Sequence, residues 1–145
     1  MHRFGRRAFM KAVSGAHTAL YRRSGGRIGG RMVGMPVLLL ITTGRRSGRS
    51  RTTPLTYVRD GEAIVVAGSN GGSDYVPAWC LNLRSNPDAE VEIGRGRTRV
   101  TAREASPAER ARLWPEFTSR YSGYASYAAR TAREIPVVIL EPRDA

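Results

Sequence analysis

Apolar positions in the first part of the chain recur at helical spacing. Phe9, Val13, Ala16 and Leu20 fall on one face, with Arg6, Arg7, Lys11 and Arg22 among them. This predicts an amphipathic basic helix over residues 5–22, stopped by Gly25-Gly26. A Gly- and Arg-rich linker continues through Gly34. The periodicity then changes. Val37 to Thr43 is an unbroken apolar, partly β-branched run, which predicts a buried strand. Leu55 to Val58 predicts a second strand, Asp60-Gly61 a tight turn, and Ala63 to Ala67 its antiparallel partner.

Gly68 to Val76 reads as a Gly-rich loop, and Pro77 opens a short helix through Arg84. After the turn Asn86-Pro87-Asp88, the alternation in Glu90-Val91-Glu92-Ile93 predicts a half-buried strand with both glutamates toward solvent. Gly94-Arg95-Gly96 turns the chain into a partner strand over Thr98 to Ala102. Ser106-Pro107-Ala108-Glu109 has the residue types of a capping box, which starts a helix running to about Tyr121. A second short helix holds Tyr124 and Tyr127. Val137 to Leu140 is the last buried strand, closed by Pro142. Tight hairpins indicate an antiparallel sheet, and six short strands in one domain close into a small barrel, which removes exposed edges. The expected fold is thus α+β. A basic helix and linker at residues 1–34 precede a six-stranded, mostly antiparallel small barrel at 35–145, forming a single domain overall.

Charge sharpens this outline. The 145 residues carry 24 Lys+Arg against 12 Asp+Glu, a net charge of +12, and Lys11 is the sole lysine. Residues 1–59 hold 12 Arg, Lys11 and no acid, hence +13. Residues 60–145 hold 11 Arg and 12 acids, hence −1. Such asymmetry calls for a polyanionic partner: nucleic acid, anionic lipid or a phosphorylated small molecule. Cys80 is the single cysteine and His2 and His17 the only histidines, which argues against cysteine-based metal sites, His-metal sites and a Ser-His-Asp triad. A lone thiol fits a reducing, cytoplasmic setting. The apolar run Met35 to Ile41 is far short of the ~20 residues that span a bilayer. Arg6-Arg7-Ala8-Phe9-Met10-Lys11 looks like a twin-arginine export motif, but no clean small-residue cleavage site follows, so a basic helix is the favoured reading.

Three stretches could carry chemistry. Arg45, Arg46, Arg49 and Arg51 lie within seven residues, spaced by Ser47, Gly48 and Ser50, and offer forked donors to phosphate or carboxylate oxygens. Neither a Walker A loop nor a GxGxxG turn is present. Ala67-Gly68-Ser69-Asn70-Gly71-Gly72 could let a ligand approach backbone at a strand end. Tyr121, Tyr124 and Tyr127 recur at i, i+3 and i+6, which suits either a core edge or a ligand pocket, and Trp79 sits on the short helix. Cys80 reads as a buried structural thiol, and no paired carboxylates suited to hydrolysis are evident. Any catalytic activity would therefore draw its reactivity from a bound organic cofactor.

The ordered motifs resemble the deazaflavin-dependent nitroreductases and F420H2-dependent quinone reductases of actinobacteria. The carriers are Tyr21-Arg22-Arg23-Ser24-Gly25-Gly26-Arg27, Leu40 to Gly48, Arg51, Pro54, Asp60-Gly61 and Ser69-Asn70-Gly71-Gly72. They continue with Pro77-Ala78-Trp79, Asn82-Leu83, Asn86-Pro87, Trp114-Pro115, the tyrosines and Ile135-Pro136-Val137. The resemblance implies a split barrel that uses coenzyme F420 rather than FMN to reduce quinones, enones or nitro compounds. It places the cofactor's phosphate on Arg45, Arg46, Ser47, Gly48 and Arg51. Pro54, Ala67, Gly68, Ser69, Asn70, Gly71, Gly72 and Trp79 would lie along the cofactor. Tyr121, Tyr124, Tyr127 and Ser69 would face the electron acceptor. This chain departs from relatives at Arg46 and Asn70, often lysines, at Thr56, a tyrosine in some, and at Cys80, commonly aromatic. The alternative is an Arg-rich nucleic-acid-binding module, which the absence of aromatics in the Arg45–Arg51 loop disfavours. Peripheral contact of the basic helix with an anionic membrane is compatible with the reductase reading.

Overall fold

A computed structural model describes residues 15–32, 34–69, 76–130 and 134–143. Helix α1 covers residues 15–24, so the end of the expected helix is present, while its residues 5–14, with the twin arginines, lie outside the described residues. The elements that follow are β1 (Arg31–Met32), β2 (Met35–Thr43), β3 (Ser50–Thr56), β4 (Val58–Asp60), β5 (Ala63–Ala67), α2 (Ala78–Ser85), β6 (Asp88–Ile93), β7 (Gly96–Glu104), α3 (Pro107–Arg120), α4 (Gly123–Arg130) and β8 (Val137–Pro142). Every strand pair is antiparallel. The sheet runs β1-β2-β6-β7-β8-β5-β4, and β3 pairs with the other edge of β2.

Eight strands replace the six expected. One addition is the two-residue β1. The other arises because the predicted strand Leu55 to Val58 is the junction of two strands that meet at Tyr57. β3 pairs with β2 from Val37↔Thr56 to Thr43↔Ser50, whereas β4 pairs with β5 from Val58↔Val65 to Asp60↔Ala63. One bent strand thus changes partner and joins the two ends of the curled sheet. Counted as a single bent strand it restores the six-stranded split barrel.

Alternation along the strands sorts the core into layers. Leu38, Leu40, Ile64, Val66, Val91, Val100, Val138 and Leu140 point inward, where Trp79, Cys80 and Leu83 of α2 plug the interior. Val65, Val137 and Ile139 point outward beneath Leu113, Phe117 and Tyr124 of α3 and α4. Val37 and Leu39 point outward beneath Tyr21 of α1. β2 therefore reads as a continuous apolar run because helix packing covers its outer face as well as its inner one.

Helix α1 is fastened by polar contacts. The Tyr21 hydroxyl accepts from Gly94 N–H at 2.8 Å and donates to Glu92 O at 3.3 Å. Arg22 reaches Glu92 at 3.0 Å, and Arg97 pairs with the same carboxylate. Glu92, expected toward solvent, is only 9% exposed. It does face outward, opposite Leu39, but α1 lies over that face. Burial pushes its carboxyl pKa up, and hydrogen bonds from Arg22 and Arg97 outweigh this and hold it below the usual range.

The capping box of α3 forms as expected. Ser106 Oγ accepts from Glu109 N–H at 3.2 Å, and the Glu109 carboxylate accepts from Ser106 N–H at 3.0 Å. Arg103 grips the same carboxylate at 2.7 and 2.8 Å. Its side-chain hydrogen bonds, aided by the Ser106 backbone, hold the Glu109 carboxyl down from 4.5 to about 2. A pKa depressed by folding stabilises the fold fully above about 4.5 and ceases to do so as the pH falls to about 2. The melting-temperature gap between wild type and Glu109→Gln should therefore shrink across that interval. A gap that stays constant there would show that the carboxylate contributes nothing through its charge.

Candidate active site

The split in the barrel follows from the bend at Tyr57. Extending the β4–β5 register past Val58↔Val65 would set Thr56 opposite Ala67 and Pro54 opposite Ser69. Instead β3 stays on β2 and β5 stays on β8, so the two chains diverge. Tyr57 N–H donates to Pro36 O at 3.2 Å, which holds the bend against β2. Pro54 and Thr56 border one side of the opening, and Ala67, Gly68 and Ser69 border the other. β3 has a ladder partner on one side only, where Pro54, with no N–H to donate, is tolerated.

The Arg45–Arg51 loop stands at the far end of β3. Gly44 N–H donates to Arg49 O at 2.8 Å, Gly48 N–H to Gly44 O at 2.8 Å, and Arg49 N–H to Ser47 Oγ at 3.1 Å, so the backbone closes on itself. Asn82 of α2, buried, fastens this loop. Its Oδ1 accepts from Arg45 N–H at 3.2 Å and from Arg45 Nη1 at 3.3 Å, and its Nδ2 donates to Thr42 Oγ1 at 3.2 Å. Arg45 is thus partly engaged by the fold. Arg46, Arg49 and Arg51 are exposed and, among the described residues, have no acidic partner. Most described acids elsewhere are matched, among them Asp60 by Arg112, Glu104 by Arg84, Glu134 by Arg110, and Glu109 and Glu141 by Arg103. The loop is therefore a concentration of uncompensated, fork-shaped donors on a braced backbone, suited to phosphate and carboxylate oxygens.

The tyrosines occupy the outer face. Tyr121 is the C-cap of α3 rather than part of the helix that carries Tyr124 and Tyr127, so the spacing reflects a helix–turn–helix rather than one continuous face. Tyr124 is 6% exposed and sits at the centre of an aromatic cluster. It meets Phe117, Tyr121, Tyr127 and Trp114 edge-on, with ring centroids 5.2, 5.8, 5.8 and 6.1 Å away. Its hydroxyl is hydrogen-bonded to Thr56 Oγ1 at the split. Burial raises its pKa and the Thr56 hydrogen bond partly offsets this. Tyr121 and Tyr127 are half-buried, with their hydroxyls 3.5 Å apart.

Packing within the fold accounts for some of the other expected residues. Gly68 N–H donates to Pro136 O at 2.8 Å, so it is not a free donor for a ligand. A Cβ on Gly68 would stand 2.7 Å from Cys80 Sγ and 3.2 Å from the Pro136 ring, so protein packing already accounts for this glycine. Ser69 is buried at the end of β5. Asn70, Gly71 and Gly72 lie outside the described residues. Trp79 and the thiol of Cys80 are buried in the interior layer, on the opposite face of the sheet from the tyrosines. Sequence reasoning missed Asn82 as a fastener and Thr56 as the link between the split and the tyrosines. A buried polar pair on α2 and β2 leaves no local pattern from which to read it. Among the described residues no group of three His, Cys, Asp or Glu could hold a metal, and no helix is long and apolar enough to cross a membrane.

A split barrel with a braced cationic loop at its opening suits a bound anionic cofactor. The sequence profile of the family described as F420H(2)-dependent quinone reductase matches residues 13–142. An F420H(2)-dependent quinone reductase of Mycobacterium tuberculosis is 45% identical over 131 residues, which is 88% of each chain. A solved F420-H2-dependent reductase superposes with a TM-score of 0.68 at 36% identity, covering 73% of this chain and 94% of that one. The heme storage protein HutZ of Vibrio cholerae, at 14% identity and a TM-score of 0.56 over 75% of this chain and 82% of that one, shares the fold alone. The chain belongs to the F420H2-dependent quinone reductase family, whose cofactor is the deazaflavin coenzyme F420. Neither the geometry nor the relatives support the nucleic-acid alternative.

If Asn82 braces the cationic loop, Asn82→Ala should lower unfolding free energy by about 1–3 kcal/mol, because it orphans the buried Thr42 hydroxyl and the Arg45 N–H. Denaturant titration measures this. A loss under about 0.5 kcal/mol, within the usual range for inconsequential substitutions, would show that the loop is held by its own turns.

Proposed function

We propose that the chain reduces quinones with F420H2 bound along the split, its anionic tail on Arg46, Arg49 and Arg51. The observation that carries this reading is the set of guanidiniums without acidic partners beside the open edge of β3. The residues present suit the cofactor. Its tail carries a phosphate and glutamate carboxylates, and the loop offers fork-shaped donors on a closed backbone, with Ser47 Oγ already committed to Arg49 N–H.

When bound, reduced F420 supplies the hydride. The work left to the protein is positioning and electrostatics. Arg45, tied to Asn82, keeps the loop at its station while Arg46 and Arg51 neutralise the tail. Pro54, Ala67 and Ser69 form the walls against which the planar ring would rest. Tyr121 and Tyr127 offer hydroxyls for the quinone oxygens on which charge develops, and Tyr124, locked to Thr56, fixes their orientation. Enones and nitro compounds, which develop comparable charge on oxygen, fall within reach of the same donors.

The reading extends to location: a cytoplasmic enzyme touching the inner face of an anionic membrane. Leu20, Ile28 and Met32 are 50%, 55% and 44% exposed, and Arg23, Arg27 and Arg31 are interspersed with them. Apolar side chains ringed by cations suit a bilayer surface, where an apolar quinone would be found. Residues 1–34 then act as an appendage to a barrel at 35–145 within one domain, since Tyr21 and Arg22 bind α1 to it.

Fluorescence titration with reduced F420, with FMN as control and menadione as acceptor, tests the proposal. Binding tighter than ~100 μM with menadione turnover is expected, equivalent to about −5.5 kcal/mol or better. Arg46→Ala combined with Arg51→Ala should weaken cofactor binding at least roughly tenfold, and the wild-type affinity should fall with added salt. Unchanged affinity in the double variant would place the anionic tail elsewhere.

A further inference from the structure

The Arg45–Arg51 loop does not account for all the uncompensated charge. A second cationic locus lies on the outer face, where α1 meets the β6–β7 hairpin. A cleft of about 280 Å³ there is lined by Arg22, Glu92, Gly94, Arg95 and Arg97. Three guanidiniums surround one nearly buried carboxylate. Glu92 takes Arg22 and Arg97, and Glu90 touches Arg97 from the rim at 3.4 Å. Counting both acids, the locus keeps a net positive charge, and Arg95, exposed, has no acidic partner among the described residues.

Arg95 nevertheless has a defined neighbour. A Cβ on Gly25 would stand 2.6 Å from Arg95 Nε and 2.8 Å from its Cζ, so the guanidinium lies against bare glycine backbone. Gly25 has φ +64°, in the region that favours glycine, so no side chain competes for that space. Arginine ordinarily loses considerable rotamer freedom when it is held still. Here the side chain lies over glycine backbone with no acidic partner among the described residues, and it lines one cleft with Arg22 and Arg97. Forked donors gathered in one cleft match a tetrahedral oxyanion.

We infer that the cleft formed by Arg22, Arg95 and Arg97 is a second anion site, which takes a phosphate group. It is separate from the Arg45–Arg51 loop and does not depend on the quinone-reductase reading. The chemistry is that of a phosphate mono- or diester, which a lipid headgroup or a soluble phosphorylated molecule could supply. Arg22 and Arg97 give part of their donor set to Glu92, and that ion pair joins α1 to the hairpin, so the ligand would bridge the same two elements. Arg95 supplies the charge that the acids leave unmatched.

Amide NMR titration of the full chain with inorganic phosphate at constant ionic strength reads this site separately from the loop. Saturable shifts are expected at Arg22, Gly94 and Arg95. Arg95→Ala should weaken the binding they report roughly tenfold, Arg95→Lys by less, and neither should change the phosphate response of Gly44 to Arg51. Absence of saturable shifts at Gly94 and Arg95, or equal affinity in Arg95→Ala, would overturn the inference. Co-sedimentation with phosphatidylglycerol vesicles, against phosphatidylcholine vesicles, then identifies the source. Binding to the anionic vesicles that Arg95→Ala weakens and inorganic phosphate competes away assigns a lipid headgroup. Vesicle binding indifferent to Arg95→Ala, with inorganic phosphate binding lost, assigns a soluble phosphorylated ligand.

Discussion

At Tyr57 one strand leaves β2 and joins β5, and the rest of the architecture depends on that exchange. The peptide there hydrogen-bonds to Pro36, its side chain is buried in the interior layer, and it belongs to neither ladder. Had the β4–β5 register continued, the barrel would have closed and Pro54 would have faced Ser69 across a ladder. Because it does not, β3 keeps an open edge. The same divergence puts Thr56 on the outer face, where Tyr124 can reach it, and leads β3 back to the cationic loop. Trp79, Cys80 and Leu83 pack into the interior, so the barrel is a filled core and not an open channel.

Charge is distributed on the same plan. In the second part of the chain nearly every carboxylate has an arginine partner, and these pairs lie across strands and between sheet and helices. Exposed pairs of this kind contribute little each to stability. Their consequence is electrostatic: they cancel the field over one part of the surface and leave it positive at the loop and along α1. Local pairing thus underlies the near-neutral balance of residues 60–145, while Arg46, Arg49 and Arg51 carry charge that no described acid offsets.

Features governed by neighbours in the chain were readable from the sequence. The Ser106 capping box, the Asp60-Gly61 turn, the paired strands around Gly94 and the doubly buried β2 all appear where local pattern put them. So does the cationic loop, since four arginines in seven residues need no tertiary context to be recognised. What was not readable depends on distant partners. The bend at Tyr57 is a choice between two pairing strands, and its residues look like one continuous β run. Glu92 alternates outward as expected, yet α1, some 70 residues earlier, covers it and turns a solvent-facing acid into the anchor of a helix. Gly68 looks like a ligand-approach glycine, but its space is filled by Cys80 and Pro136. The helix end near Tyr121 was legible, but the edge-on cluster that Tyr121, Tyr124 and Tyr127 form with Trp114 and Phe117 depends on packing between α3 and α4.

A crystal structure of the chain with oxidised F420 bound addresses the central claim most directly. The account predicts the cofactor along the open edge of β3, its phosphate among Arg46, Arg49 and Arg51 and its ring beside Pro54 and Ser69. A separate cleft of about 280 Å³ is lined by Cys80, Leu83, Ala102 and Val138. Cofactor found in that cleft, with the arginine loop empty, would contradict the account.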